Sequence, residues 1–113
     1  MNPSDHDLRA VLFHGLSERS RIDILAALAG GPRRVSDIVL ATGLTQPNAS
    51  KQLACLHDCG LVERERLGRE THYRLAAGLD DLLHAADAVL ALNGERVAAC
   101  PRYGCTTRTR AAG

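Results

Sequence analysis

The feature that most constrains the fold is a pair of short predicted helices on either side of a glycine turn. Apolar residues at helical spacing predict a third helix over Val35–Thr42, which Gly43 ends. Thr45 suits the N-cap of a fourth helix over about 46–59, and Pro47 falls in its first turn, where a missing N–H costs nothing. Two helices joined by such a turn form a helix-turn-helix.

Two further helices precede this pair and a hairpin follows it. The apolar spacing predicts helices over 5–15 and 18–29, and residues 61–67 and 70–75 alternate on either side of Gly68-Arg69. Ser17 looks like the N-cap of the second helix. The sequence therefore predicts a mainly α fold with a β-hairpin, a winged helix-turn-helix whose wing is the hairpin.

The last predicted helix has the strongest apolar stripe in the chain, and it ends near Asn93-Gly94. Such a stripe favours pairing with a second copy, so we expect a homodimer. Residues 1–93 would form the DNA-binding and dimerisation domain, and residues 94–113 a flexible tail that carries two cysteines. The stripe consists of Leu79, Leu82, Leu83, Ala86, Val89 and Leu90.

Composition excludes several classes of protein. A chain of 113 residues with a net charge of +1 is too small for most enzymes and is not a polycation. Its three aromatic residues imply an aliphatic core, and its arginines, 13 of the 14 basic residues, suit phosphates and guanine edges. No apolar stretch approaches the roughly 20 residues of a membrane span, and residues 1–10 lack the features of a secretory signal. We expect a cytoplasmic protein that is not an enzyme and has no membrane partner.

The fourth helix begins with a cluster of short hydrogen-bonding side chains, which suits insertion into the major groove of double-stranded DNA. For a lone helix a solvated polar face would be the better interpretation, but the helix before it and the arginine-bearing hairpin after it favour DNA binding. Some hairpin arginines could instead pair with glutamates across the strands. The predicted DNA-contacting residues are Ser36, Thr45, Gln46, Asn48, Ser50, Lys51, Gln52, Arg64, Arg66 and Arg69.

Four cysteines suggest a thiol site. Cys55 and Cys59 lie four apart on the fourth helix, with Cβ atoms about 5 to 6 Å apart, and Cys100 or Cys105 could complete a shell of three or four sulfurs. Sulfur ligands select soft or borderline ions such as cadmium, lead, zinc or cuprous copper. The alternatives are small buried side chains, a thiol redox switch, or a metal-binding protein without a DNA function.

Three segments, 16–25, 44–53 and 56–62, closely resemble the ArsR/SmtB family of metal-responsive repressors. The resemblance implies a winged-helix homodimer, paired through its first and last helices, that leaves operator DNA when metal binds. Residues 53–60 and a tail cysteine are similar to a cadmium- and lead-sensing branch. That likeness implies a cadmium or lead ion, with zinc possible, held by Cys55, Cys59 and Cys100, the last from the other subunit. It leaves the role of Cys105 open.

Other metal sites of that family have no full counterpart here. The third helix has no Cys-x-Cys, and the last helix carries only His84 and Asp87 as a faint echo of its site. We interpret these two residues, with Asp81, as part of a solvated helix face.

Overall fold

The computed structural model describes residues 4–104, which form five helices and three strands. No helix among these residues is both long and apolar enough to cross a membrane. The chain divides between Ala77 and Gly78 into two compact units. The first contains α1 (Asp5–Leu16), α2 (Arg19–Leu28), β1 (Arg33–Arg34), α3 (Val35–Thr42), α4 (Gln46–Asp58), β2 (Val62–Leu67) and β3 (Glu70–Leu75), and the second contains α5 (Leu79–Ala98).

The helix-turn-helix forms where its local signals predict it. Gly43 ends α3 in the left-handed region with φ of 75°, and the hydroxyl oxygen of Thr45 accepts a hydrogen bond from the Asn48 N–H at 3.2 Å. Pro47 lies in the first turn of α4, and Gly60 follows the helix with φ of 78°. The predicted third helix is confirmed residue for residue, and the predicted fourth is one residue too long.

The boundary between α1 and α2 differs from the prediction, because Ser17 closes α1 instead of capping α2. Its hydroxyl donates to the carbonyl oxygen of His14 at 2.8 Å. Glu18 is the N-cap of α2, and its carboxylate accepts from the Arg21 N–H at 3.2 Å. A serine can bond to the preceding turn as readily as to the following one, and here the preceding turn is the partner.

The core of the first unit is aliphatic, as the composition predicts. Helices α2, α3 and α4 pack against one another, and the strands pack against these helices. All the buried side chains of this unit come from α2, α3, α4 and the start of the hairpin. They are Ile24, Leu25, Leu28, Ile38, Ala49, Leu53, Leu56, Leu61 and Val62.

The wing is the predicted hairpin, with a third strand that the sequence pattern did not reveal. Strands β2 and β3 pair antiparallel from Val62 opposite Leu75 to Leu67 opposite Glu70. The two residues of β1 pair with the other edge of β3, giving the order β1-β3-β2. A strand of two arginines has no alternation of apolar and polar residues, so β1 is recognised only by its pairing with β3.

Arg34 joins the wing to the helix-turn-helix. Its guanidinium donates to the Glu70 carboxylate on β3 and to the Asp37 carboxylate on α3, the latter at 3.3 Å. The hydrogen bond from Arg34 lowers the pKa of Asp37, and the hydrogen bonds to Glu70 and Asp37 raise the pKa of Arg34. This network fixes where the wing lies relative to α3.

The second unit corrects the predicted end of the last helix. Helix α5 continues through Gly94 to Ala98, about one turn beyond the predicted end near Asn93-Gly94. A glycine inside a helix costs only about 1 kcal/mol relative to alanine, so it does not by itself end a helix whose apolar residues continue, here to Val97. Residues 94–98 are therefore not part of a flexible tail.

After α5 the backbone turns at residues 101–104. A Cβ atom at Gly104 would collide with the carbonyl oxygen of Ala98, so this close approach requires glycine. The rest of the predicted tail, including Cys105, lies outside the described residues.

The buried face of α4 should dominate stability. Leu53 is completely buried, and Leu53→Ala is expected to lower the free energy of unfolding by about 2–5 kcal/mol because burial is reduced and a cavity remains. Leu40 has 83% of its surface exposed and supplies the matched control. Leu40→Ala should change the free energy of unfolding by less than about 0.5 kcal/mol. Urea unfolding followed by circular dichroism measures both, and equal effects would contradict this packing.

The ion pair between Arg34 and Asp37 should make stability depend on pH. Since the folded-state pKa of Asp37 is lowered, its contribution is present above the unfolded pKa of about 3.9 and is lost as the pH falls through the folded value. Asp37→Asn should therefore lower the melting temperature at pH 7, and its difference from the wild type should shrink below about pH 4. Asp87→Asn, a change on the exposed surface of α5, is the control. A difference in melting temperature between Asp37→Asn and the wild type that does not change with pH would show that the ion pair with Arg34 is not its cause.

Candidate functional site

Helix α4 presents two different surfaces along its length. Ala49, Leu53 and Leu56 are buried against the core. At about 100° per residue, the remaining positions turn toward solvent, with the polar residues concentrated in the first two turns. The aliphatic face therefore fixes the rotation of the helix and leaves its polar N-terminal half accessible.

The predicted groove-contacting residues lie together at this end of α4. Asn48 and Gln52 are half-buried at the edge of the core, and the Thr45 oxygen that caps the helix leaves its hydroxyl proton available to a phosphate. The side chain of Lys51 forms no hydrogen bond or ion pair with any of residues 4–104. The exposed members are Ser36 at the start of α3 and Thr45, Gln46, Ser50 and Lys51 around the start of α4.

Gln52 has a partner that sequence reasoning missed. The side-chain oxygen of Gln52 accepts a hydrogen bond from the guanidinium of Arg21 on α2 at 3.2 Å. The two residues are 31 positions apart, so no local pattern links them. The packing of α2 on α4 brings them together.

The wing arginines divide into paired and unpaired residues. Arg74 bonds to Glu65 at 2.7 Å and to Glu63 at 3.4 Å, which is the cross-strand ladder considered as an alternative. Arg66 donates to the carbonyl oxygen of Gly68 at 3.2 Å. The side chains of Arg64 and Arg69 are exposed and form no hydrogen bond or ion pair within the described chain, so their charges remain available to phosphates.

Cys55 and Cys59 lie one turn apart on α4, and both are exposed. The alternative that they are small core side chains is therefore wrong. Partial burial of the sulfur, and then the adjacent Cys55 thiol, raise the pKa of Cys59.

Cys100 lies in the second unit, at the turn that follows α5. The backbone N–H groups of Tyr103 and Arg102, and to a smaller extent that of Gly104, lower the pKa of this half-buried thiol. Backbone donors that stabilise a thiolate prepare this sulfur for a cation.

The donor chemistry fits a soft ion, but the described residues of one chain do not make up a complete site. Among residues 4–104 no three His, Cys, Asp or Glu side chains converge as metal ligands. The two thiols on α4 need at least one more ligand from outside that pair. His84 is exposed, and its ring lies against Asp80, with Nδ1 3.7 Å from the carboxylate, as expected of a solvated face.

A three-helix core, a helix with a polar and accessible N-terminal half, and a wing with unpaired arginines together define a winged helix-turn-helix DNA-binding protein. Residues 18–64 match the family described as "Bacterial regulatory protein, arsR family". The chain is 31% identical over 102 residues to the "Probable mercury resistance operon repressor" of Streptomyces lividans, covering 88% of this chain and 82% of that protein. The chain belongs to the arsR family.

Two further proteins resemble the chain. The "HTH-type transcriptional regulator CmtR" of Mycobacterium tuberculosis is 39% identical over 67 residues, a match that covers 59% of this chain and 57% of that regulator. The homodimeric winged helix-turn-helix domain of a possible ArsR-family regulator from Mycobacterium bovis superposes with a TM-score of 0.67 at 35% identity, covering 82% of this chain and 91% of that domain.

These matches confirm the predicted fold class and the resemblance on which it was based. The protein is an ArsR-family transcriptional repressor and not an enzyme.

The unpaired arginine at the wing tip should contribute to DNA affinity. Arg69→Ala is expected to weaken binding to a generic 20-base-pair duplex and to reduce the slope of log K against log salt by about one for each phosphate that the variant no longer binds. Arg19→Ala removes the same charge from an arginine already paired with Asp23, so it should change neither quantity much. Fluorescence anisotropy between about 50 and 200 mM salt tests this. Identical slopes for the two variants would show that Arg69 does not contact the DNA.

Proposed function

We propose that the protein is a metal-responsive repressor that binds operator DNA as a homodimer and is released when a soft metal ion binds to its cysteines. One observation carries the proposal: two accessible thiols, Cys55 and Cys59, lie on the same helix whose N-terminal half bears the predicted groove-contacting residues. A ligand at one end of α4 therefore acts on the helix that must enter the groove.

The operator contacts follow from the exposed polar surface. Helix α4 would enter the major groove, where side chains at its N-terminal half contact base edges, and Arg64 and Arg69 of the wing would bind phosphates. Arg66 is the least favoured phosphate contact of the three wing arginines, because it already donates a hydrogen bond within the hairpin turn.

Exposed apolar surfaces on two helices support the dimer. On α1, Leu8, Val11 and Phe13 each leave more than half of their surface exposed, and no residue of that helix is buried. On α5, Val89, Leu90, Leu92 and Val97 are also exposed. Pairing through the first and last helices would cover both faces, and the M. bovis neighbour is homodimeric. Such a dimer acts on chromosomal DNA, so we place it in the cytoplasm.

The metal site would consist of Cys55, Cys59 and a cysteine that follows α5. Cys100, whose sulfur is held by backbone donors, is the proposed third ligand, and Cys105 is a candidate fourth. Thiolates favour cadmium or lead, with zinc as a further possibility. The name of the Streptomyces relative adds mercury, an equally soft ion, to the set.

The change of charge on α4 supplies a reason for release. If a divalent ion bound to three neutral thiols, three protons would be released, and the three sulfurs with the ion would carry a formal charge of −1 where the thiols carried none. That negative charge develops on a helix that must lie beside phosphates. Coupling between such sites is typically about 1–3 kcal/mol, or roughly 5- to 150-fold in affinity.

The proposal is tested with an operator duplex selected from a random library by the metal-free protein. Cadmium, lead, mercury and zinc are titrated separately while sulfur-to-metal absorption and operator affinity are recorded. Cys55→Ser, Cys59→Ser and Cys100→Ser should each abolish both the absorption band and the metal-induced loss of affinity. Ala54→Cys in a Cys55→Ser background is the matched control, since Ala54 is an exposed residue of α4 and the change restores the number of thiols and not their spacing.

Three outcomes would decide against the proposal. Release by peroxide with no response to any of the four metals would establish the redox switch instead. Metal binding without selective DNA binding would leave only a metal-binding protein. An undiminished metal-induced loss of operator affinity in Cys55→Ser would show that Cys55 on α4 is not part of the metal site.

A further inference from the structure

The ends of two helices fix the position of Arg21. Its backbone N–H, in the first turn of α2, donates to the carboxylate of the N-cap residue Glu18 at 3.2 Å. Its Nε donates to the carbonyl oxygen of Gly15, in the last turn of α1, at 2.6 Å. Because carbonyl groups in the last turn of a helix lack a partner within that helix, the guanidinium supplies one. Backbone and side chain of Arg21 are thus both held where α1 meets α2.

The other end of this guanidinium sets the orientation of the Gln52 amide. Nη1 of Arg21 donates to the side-chain oxygen of Gln52 on α4 at 3.2 Å, and both residues are half-buried. An arginine only donates, so the amide oxygen of Gln52 must face Arg21 and its NH2 group must face away. The reverse orientation would place N–H groups of both residues against each other with no acceptor between them. The hydrogen bond therefore selects one of the two amide orientations.

Asn48 lies one turn before Gln52 and does not have this constraint. At about 100° per residue the two positions are about 40° apart around α4, so they lie on the same side of the helix. No hydrogen bond joins the side chain of Asn48 to any of residues 4–104. Its amide can turn to present an acceptor and a donor together, as pairing with adenine requires. Gln52, in contrast, presents only a donor away from the protein.

We propose that Arg21 is a positioning residue that makes Gln52 a donor-only contact in the major groove and so directs it to guanine. The inference rests on the proposed function, in which α4 enters that groove. Guanine presents two acceptors, N7 and O6, on its major-groove edge, whereas adenine presents the acceptor N7 and a donor, the N6 amino group. An NH2 group that faces outward alone can donate to guanine and leaves the amino group of adenine without an acceptor. A glutamine without Arg21 would instead favour adenine.

The test compares the operators that variants of the intact chain select from a random duplex library without metal. Gln52→Ala identifies the base pair in each half-site that depends on Gln52. Arg21→Met keeps the apolar stem and releases the amide. Gln52→Glu keeps an acceptor for Arg21 and places a second carboxylate oxygen where the NH2 group was. Arg19→Met, on the same helix and paired with Asp23 at 3.1 Å, is the matched control, and circular dichroism measures the folding of each variant.

The expected results separate positioning from a structural role. At the Gln52-dependent base pair the wild type should prefer guanine over adenine by about fivefold, as one net hydrogen bond allows. Arg21→Met should lose this preference and accept adenine at least equally. Gln52→Glu should prefer cytosine on the same strand, because the N4 amino group of cytosine donates to a carboxylate. A merely structural role of Arg21 would lower the melting temperature and leave the order of preferred bases unchanged, as is expected of neither variant.

Three results would overturn the inference. The first is a wild-type preference for an A·T pair, in either orientation, at the Gln52-dependent position. The second is a folded Arg21→Met variant that keeps the preference for guanine, or an Arg19→Met variant that loses it. The third is a Gln52→Ala variant that selects the wild-type operator, which would show that Gln52 contacts no base. Should Arg21→Met not fold, Gln52→Glu decides, since guanine retained in that variant would also overturn the inference.

These results differ from failure of the proposed function. A wild-type protein that selects no duplex from the library would overturn the proposed operator binding, and this inference with it. A selected operator from which none of the four metals releases the protein would overturn the proposed metal response alone. The assignment of Gln52 would then still be decided by the bases that the variants select.

Discussion

The burial of the aliphatic face of α4 against α2 and α3 is the interaction on which the rest of the structure depends. Ala49, Leu53 and Leu56 leave almost no surface exposed, and their removal from water holds the helix at one rotation about its axis. At that rotation the polar first turns and both thiols lie outside the core. The predicted groove-contacting residues and the two thiols of the proposed metal site thus lie on the exposed surface of one helix.

Ion pairing within the protein, and not the number of charged residues, decides which wing arginines can bind DNA. The strand residues carry arginines and glutamates in nearly equal measure, so their net charge says little about affinity for DNA. Arg74 pairs with two glutamates, and Arg34 pairs with a third glutamate, Glu70, and with Asp37. The pairing leaves Arg64 and Arg69 with unsatisfied charge on a hairpin whose position is itself set by Arg34. The same residue type therefore serves two physical roles, as an ion-pair partner inside the protein and as a potential phosphate ligand outside it.

The confirmed predictions were those of elements whose limits are set by neighbouring residues in the sequence. The cap of Thr45, the left-handed Gly43 and the alternation about Gly68 each depend on neighbours within a few residues, and each lies where the pattern indicates. The errors arose where local signals were ambiguous. Ser17 could bond to either of two helices, and Gly94 could either end a helix or lie within one. The candidate site divides in the same way: the polar residues and thiols of α4 followed from its sequence, whereas the hydrogen bond from Arg21 to Gln52 did not.

The sequence by itself determined the order of the five helices and the two hairpin strands, the aliphatic nature of the core and the spacing of Cys55 and Cys59 on one helix face, because these depend on backbone preferences and on periodicity. Only the tertiary structure decided that β1 pairs with β3, which wing arginines are already paired, and that Arg21 bonds to Gln52. These features depend on contacts between residues far apart in the chain. Such contacts form only when packed helices and paired strands bring the side chains within a few ångströms of each other, and no local pattern contains that distance.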